Sequence, residues 1–138
     1  MKLLLDANVF LEILLEQERA DEARTLLKRT SKHEFFLSDF SLPSIGLLLL
    51  RQKRHAAFEQ FVKDMLFDAG VTLTGLFPED MMAVTDAAQR FNLDFDDAYQ
   101  YVAAAKSGLT LVSLDGDFAR TDRGRKTPAE ILATIPSV

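Results

Sequence analysis

The chain has 138 residues, 48% hydrophobic and 27% charged, with a net charge of −5 and no cysteine. That length supports one domain with a real core and not two, and the missing cysteines exclude disulfides, thiolate metal sites and a cysteine nucleophile. The negative balance argues against a general nucleic-acid coat, and the longest strongly apolar run, Ile45 to Leu50, is too short to span a bilayer.

Lys2 to Leu5 is a short apolar run ending at Asp6 and reads as a buried strand. It begins as a signal peptide does, but Asp6, Asn8 and Glu12 break the apolar stretch and no small-residue cleavage site follows. A cytoplasmic protein is expected. Asp6 or Asn8 can cap a helix over Val9 to Glu16. Ala20, Ala23, Leu26, Leu27 and Thr30 form the inner stripe of a second helix, with Asp21 and Glu22 at its start and Lys28 and Arg29 near its end, as the helix dipole prefers. Glu34 to Leu37 is a brief strand. The next helix starts at Ser38, Asp39 or Ser41, with Pro43 in its first turn. Ala56 to Ala69 reads as a helix stopped by Gly70, and Val71 to Leu73 as a strand.

Pro78 suits a first helical position, and Met81, Val84, Ala88 and Phe91 follow at helical spacing until Asn92. Asp94 caps the following helix, whose inner stripe is Ala98, Tyr101, Val102 and Ala105, and Gly108 stops it. Leu109 to Leu114 is a buried strand. In the tail, Thr127 caps a short helix that opens on Pro128. Strands separated by helices, without repeats or linkers, predict one α/β domain over residues 1–138: a central parallel sheet with helices on both faces.

Asp6, Asp97 and Asp115 sit where an apolar strand ends or a helix begins. Ligands of an open parallel sheet bind outside the carboxyl ends of its strands. From Asp97 to Ser107 a helix descends about 15 Å, and from Leu109 to Asp115 a strand returns about 20 Å, so both acids reach one edge of the domain. Asp6 reaches the same edge if the first strand runs parallel. Three carboxylates about 5 Å apart repel by roughly 3 kcal/mol per pair at an effective dielectric of 20. A hard cation relieves that repulsion, and an all-oxygen set suits Mg²⁺ or Mn²⁺, which can support phosphodiester hydrolysis. Singly, each acid also has a plain structural reading. Asp97 with Asp94 can form a capping box, Asp6 an N-cap, and Asp115-Gly116 a turn.

Basic residues gather at Arg51, Lys53, Arg54 and His55, and again at Arg120, Arg123, Arg125 and Lys126. The second group follows Asp115 and Asp117 closely and is the candidate nucleic-acid contact, solvated surface charge being the other reading. His33 and His55 have no metal-ligand spacing.

The segments LLDANVFLE, DDAYQYVAAAKSGLTLVSLDGDF and TPAEIL resemble a PIN domain, the compact nuclease fold of VapC-type toxins, over nearly the whole chain. The resemblance implies a three-layer α/β/α fold with Asp6, Asp97 and Asp115 as catalytic metal ligands and Asp117 as a fourth. Asn8 and Ser113 match positions that support the acids. It further implies Mg²⁺- or Mn²⁺-dependent cleavage of RNA, dimerisation, and inhibition by an antitoxin. The sequence departs from the family at one point. The glutamate expected after the second strand falls at Ser44 in SDFSLPSIGLLLL, and Asp39 either compensates or caps the helix. That departure keeps open a PIN-fold RNA- or protein-binding module without full activity. A metal-dependent phosphatase also stays open, because Asp6-Ala7-Asn8 is similar to the aspartate motif of haloacid-dehalogenase phosphatases, with Asn8 as the second acid's replacement. The helices over Leu42 to Arg51 and Ala56 to Ala69 carry more apolar surface than one stripe needs, so a homodimer face or an antitoxin groove is expected there.

Overall fold

Leu3, Leu4 and Leu5 are all fully buried, which decides the architecture. Successive side chains of a strand point to opposite faces, so a strand without an exposed face must be covered on both. In the computed structural model, which describes residues 1–134, these leucines form β1 (Lys2–Leu5). Leu3 and Leu5 enter one core cluster and Leu4 another. β2 (Glu34–Ser38), β3 (Thr72–Thr74) and β4 (Thr110–Val112) complete a parallel sheet in the order β3-β2-β1-β4.

One face is covered by α1 (Ala7–Leu14), α2 (Ala20–Leu27), α3 (Ser41–Arg51), α4 (His55–Val62) and α7 (Pro128–Thr134), which contribute Phe10, Leu26, Ile45, Leu49, Phe61 and Ile131. Phe10 and Phe61 meet edge to face at 5.1 Å between centroids, a favoured aromatic geometry. Full burial of each such side chain contributes roughly 1.5–3 kcal/mol. The other face is covered by α6 (Phe95–Ser107) through Ala103 and Ala104, and α5 (Met81–Phe91) packs on α6 through Val84, Ala87, Ala98 and Val102. The fold is therefore the expected three-layer α/β/α arrangement. Among the described residues, no helix is long and apolar enough to cross a membrane.

Several boundaries differ from the sequence reading for local reasons. α1 begins at Ala7, two residues early, because Asp6 takes the extended N-cap conformation without using its side chain as a cap. The long helix expected to Ala69 is regular only to Val62 and widens into a π-type turn over Lys63–Asp68. That turn packs Met65 and Leu66 against the core and leaves Phe67 outside. Gly70, at φ 74°, ends it as expected. Pro78 opens a 3₁₀ turn, Pro78–Asp80, ahead of α5 rather than the helix itself. In α6, Tyr101 and Ala105 are more open than expected, whereas Tyr99 and Gln100 are buried, because the helix is covered on a second side. Thr127 and Glu130 close the reciprocal capping box at the start of α7, with N–H···O distances of 3.1 Å in both directions.

Strand order sets the position of the site. From β1 the chain builds outward to β2 and β3, then returns across the sheet to place β4 on the other side of β1. The order reverses between β1 and β4, and the crevice at such a switch point is where open α/β sheets bind ligands. Asp6 follows β1 directly, and Ser113 follows β4.

Candidate metal centre

The backbone joins the two strand ends first: the Asp6 N–H donates to the Val112 carbonyl at 2.9 Å. Ser113 then organises the crevice. Its hydroxyl donates to Asp6 Oδ2 at 2.7 Å and accepts from Asn8 Nδ2 at 3.1 Å and from the Asp115 N–H at 2.9 Å. One proton and two lone pairs are thus all used, which fixes the rotamer of a fully buried serine. Asn8 uses its other end as well, its Oδ1 accepting from the Leu114 N–H at 3.2 Å. The supporting roles expected of Asn8 and Ser113 have these hydrogen bonds as their geometry.

Asp115 caps the 3₁₀ turn Gly116–Arg120, its Oδ1 accepting from the Asp117 N–H at 2.9 Å. The turn brings Asp117 beside Asp115, and α6 delivers Asp97 from its first turn. One carboxylate oxygen each from Asp97, Asp115 and Asp117 lie within 4.8 Å of one another. Asp6 stands next to this trio, with both oxygens already engaged: Ser113 holds Oδ2, and Gln100 Nε2 donates to Oδ1 at 3.1 Å. Of the three acids put forward as catalytic, Asp97 and Asp115 therefore join the closest set together with Asp117, while Asp6 flanks it.

Burial and mutual charge leave their mark on these groups. Asp97, 9% exposed, has its pKa pushed up to about 7, first by burial and then by the negative charges of Asp96, Asp115, Asp6 and Asp117. Burial also raises the Asp6 pKa, against the hydrogen bonds from Ser113 and Gln100, and Asp115 adds to the rise. A divalent cation would relieve the burial and the negative charge that raise the Asp97 and Asp6 pKa values. Asp97, Asp115 and Asp117 supply only carboxylate oxygen at close range, and hard ions such as Mg²⁺ or Mn²⁺ take that donor set. The residues present fit the ion.

Gln100 and Ser41 are site residues that the sequence reading missed. Gln100 is 2% exposed, and its Nε2 bridges Asp6 to Ser41 Oγ, the latter at 2.7 Å. Ser41 in turn receives a hydrogen bond from the Ser38 hydroxyl, and its N–H donates to the same Ser38 oxygen, while Phe40 takes the N-cap position of α3, so Asp39 does not cap the helix. Asp39 accepts from the Tyr99 hydroxyl instead. A signal for Gln100 was present: it lies three residues after Asp97, on the same helical face. Ser44 turns its hydroxyl onto the Phe40 carbonyl at 2.9 Å and makes no hydrogen bond to an acid among the described residues. Of the basic tail, Arg120 forms an ion pair with Asp117 at 2.7 Å and also donates to the Asn92 carbonyl. Arg125 donates to the Ser113 carbonyl at 3.2 Å and Arg123 to the Leu109 carbonyl at 3.1 Å.

The same fold is found in known proteins. Over 91% of this chain and 97% of the other, the structure is similar to that of VapBC2 from Rickettsia felis, solved bound to a DNA fragment from its promoter, with a TM-score of 0.74 at 12% identity. VapC20 from Mycobacterium tuberculosis, a toxin described as cleaving the sarcin–ricin loop, superposes with a TM-score of 0.70 at 20% identity, over 85% of this chain and 92% of that one. PAE2754 from Pyrobaculum aerophilum gives 0.68 at 22% identity, over 96% and 93%. At these identities the likeness speaks for the fold. No curated protein matches the sequence. The PIN domain family, by contrast, matches residues 3–124, which takes in β1, the acid-led helix α6, β4 and the Asp115–Asp117 turn. With that match over most of its length, the chain belongs to the PIN domain family.

Proposed function

We propose that this protein is a metal-dependent endoribonuclease that hydrolyses RNA phosphodiester bonds in the cytoplasm, and that it is the toxin of a toxin–antitoxin pair. The observation that carries the reading is the meeting of Asp97, Asp115 and Asp117 within 4.8 Å at the switch point of a PIN-fold sheet. These three residues would hold Mg²⁺ or Mn²⁺, with Asp6 alongside. When bound, such an ion supplies a water of lowered pKa and stabilises charge on phosphoryl oxygens. The chain's own part is orientation. Ser113 and Gln100 fix the Asp6 carboxylate, Asn8 holds Ser113, and the Asp115 side chain sets the turn that presents Asp117.

Partners follow from the neighbours and from one surface. Toxin–antitoxin complexes, among them one from Klebsiella pneumoniae, share the fold. The apolar groove between α3 and α4, about 510 Å³ and lined by Pro43, Gly46, Leu47, Leu50 and Phe58, supports association with a second copy or an antitoxin helix. A second reading rests on Ser44, whose hydroxyl is bound to the Phe40 carbonyl at the place where the family carries an acid: a PIN-fold binding module without cleavage.

Purified protein incubated with structured and unstructured RNA, with Mg²⁺ or Mn²⁺, and separately with a small phosphomonoester, decides among the readings. Cleavage of RNA that disappears in EDTA and in Asp97→Asn supports the nuclease. RNA binding without cleavage favours the module, and turnover of the phosphomonoester alone would make the protein a phosphatase.

A further inference from the structure

A cavity of about 280 Å³ lies along β4 and is lined by Tyr101, Thr110, Arg123, Arg125 and Lys126 among others. β4 is an edge strand, bridged on its outer side, among the described residues, only where Val112 meets Lys126. Three cations therefore surround one hollow in a protein whose net charge is −5. Among the described residues, every ion pair lies elsewhere: Arg24 with Asp21, Arg90 with Asp86, Lys106 with Asp80, and Arg120 with Asp117. The acids close to these cations in sequence form no ion pair with them among the described residues, although the charges of Lys126 and Arg125 act on Glu130. Asp122 accepts from the Tyr101 hydroxyl, and Glu130 from the Thr127 N–H.

The two arginines are held rather than loose. Each spends one N–H on a main-chain carbonyl, Arg123 on Leu109 and Arg125 on Ser113, leaving most of a rigid five-donor fork available. Leu109 and Ser113 bracket β4, so the anchor points are about 13 Å apart at 3.3 Å per residue, more than one nucleotide of an extended strand. The Arg125 guanidinium also borders the acidic turn, since a Cβ placed on Gly116 would lie 3.8 Å from its Nη2. Arg125, which lines the hollow, thus also lies beside the loop that carries Asp115 and Asp117.

We infer that this hollow is a phosphate subsite, in which Arg123, Arg125 and Lys126 take backbone phosphates of a single-stranded RNA and lead the strand to the acidic turn. The inference rests on the nuclease reading for its ligand. It divides the basic tail into two roles, because Arg120 is committed to Asp117 and does not line the hollow. It also answers an electrostatic problem: the acids repel a polyanion, and a fixed cationic track beside them offsets that repulsion.

The test is binding, not turnover. Affinity of the full chain for a fluorescent single-stranded oligoribonucleotide is measured by anisotropy in EDTA over a salt series. Each phosphate contact on a single strand contributes about 0.7 to the slope of log affinity against log salt. Arg123→Ala with Arg125→Ala should lower the slope by about 1.4 and weaken binding alike for unrelated sequences. Lys126→Ala, whose side chain anchors no carbonyl among the described hydrogen bonds, should lower it by about 0.7 and guards against loss of fold in the double variant. Arg24→Ala on α2 is the control and should leave the slope unchanged. An unchanged slope and affinity in both test variants would overturn the subsite. RNA cleavage by the wild type with slopes unchanged in the variants sinks the subsite alone. Slopes that fall as expected in a protein that cleaves no RNA support the subsite and sink the nuclease reading alone.

Discussion

Asp97→Asn should make the metal-free protein more stable at pH 8, although it removes a candidate metal ligand. The Asp97 pKa is raised from 3.8 to about 7, chiefly by burial and then by Asp96, Asp115, Asp6 and Asp117. Between those two values the folded state keeps a proton that the unfolded state has lost. Stability therefore falls as pH rises through that window, and the full penalty applies above about 7. A rise of about three units corresponds to at most ~4 kcal/mol, and water reaching the mouth of the crevice reduces that to about 2 kcal/mol. Unfolding entropy near 2.1 cal/mol/K per residue converts this to about 7 °C in Tm for a chain of this size. Thermal unfolding in EDTA at pH 8 should thus place the variant above wild type, with the gap closing as pH approaches 4. Millimolar Mn²⁺ should reverse the order, because binding to the native state alone raises stability by about 2.7 kcal/mol at a hundredfold excess over Kd. Equal Tm values in EDTA at pH 8, or parallel pH profiles for the two proteins, would refute the claim that these carboxylates crowd one another.

Gln100→Leu removes the donor to Asp6 Oδ1 while keeping the side-chain bulk. Loss of such an orienting partner typically costs 10- to 100-fold in metal affinity, so Mn²⁺ calorimetry should show about that weakening; unchanged affinity would reduce Gln100 to packing. Ser44→Glu adds a carboxylate three residues after Ser41, on the helical face that reaches Gln100 and Asp6. Tighter Mn²⁺ binding with a lower metal-free Tm is the expected pair of changes, and neither appearing would mean that residue 44 does not face the acids. Gly75→Ala places a Cβ into the Asp39 carboxylate, which accepts from Tyr99, while the Tyr99 oxygen accepts from the Leu76 N–H at 3.1 Å. Overpacking of this kind costs about 1–3 kcal/mol in urea unfolding, and a change below about 0.5 kcal/mol would show that Asp39 moves aside freely.

The sheet was legible because β1 is three leucines ended by an acid, a pattern that fits a strand buried on both faces and little else. The meeting of Asp97 with Asp115 followed from lengths alone, since helix descent and strand return nearly cancel whatever the details of packing. What the sequence concealed are contacts between elements distant along the chain. Gln100 reaches Ser41 across 59 positions and Asp6 across 94, and no periodicity of α6 alone distinguishes a glutamine turned toward an acid from one turned toward water. The inner stripe of α6 was misjudged for the same reason, because its second buried side exists only once the turn from β2 into α3, with Asp39, Phe40 and Ser41, has been placed against it.

The relation between Asp6 and the other acids carries this furthest. Read as a sequence, Asp6, Asp97 and Asp115 are equivalent strand-end or helix-start carboxylates, and Asp117 is an accessory. In the folded chain the roles divide by hydrogen bonding: Asp6 is held on both oxygens by Ser113 and Gln100, whereas Asp117 is turned toward Asp97 and Asp115 by the short helix that Asp115 itself caps. A carboxylate with both oxygens engaged is fixed in place, and Asp6 is one of the groups that raise the pKa of Asp97. With Ser44 contributing no charge, the close set depends on Asp117, whose partner Arg120 must share it with any cation. Removing Arg120 should therefore strengthen Mn²⁺ binding, as no other basic residue among the described ion pairs touches the acids. Weaker binding in Arg120→Ala, measured by the same calorimetry, would mean that the guanidinium positions Asp117 rather than competing for it.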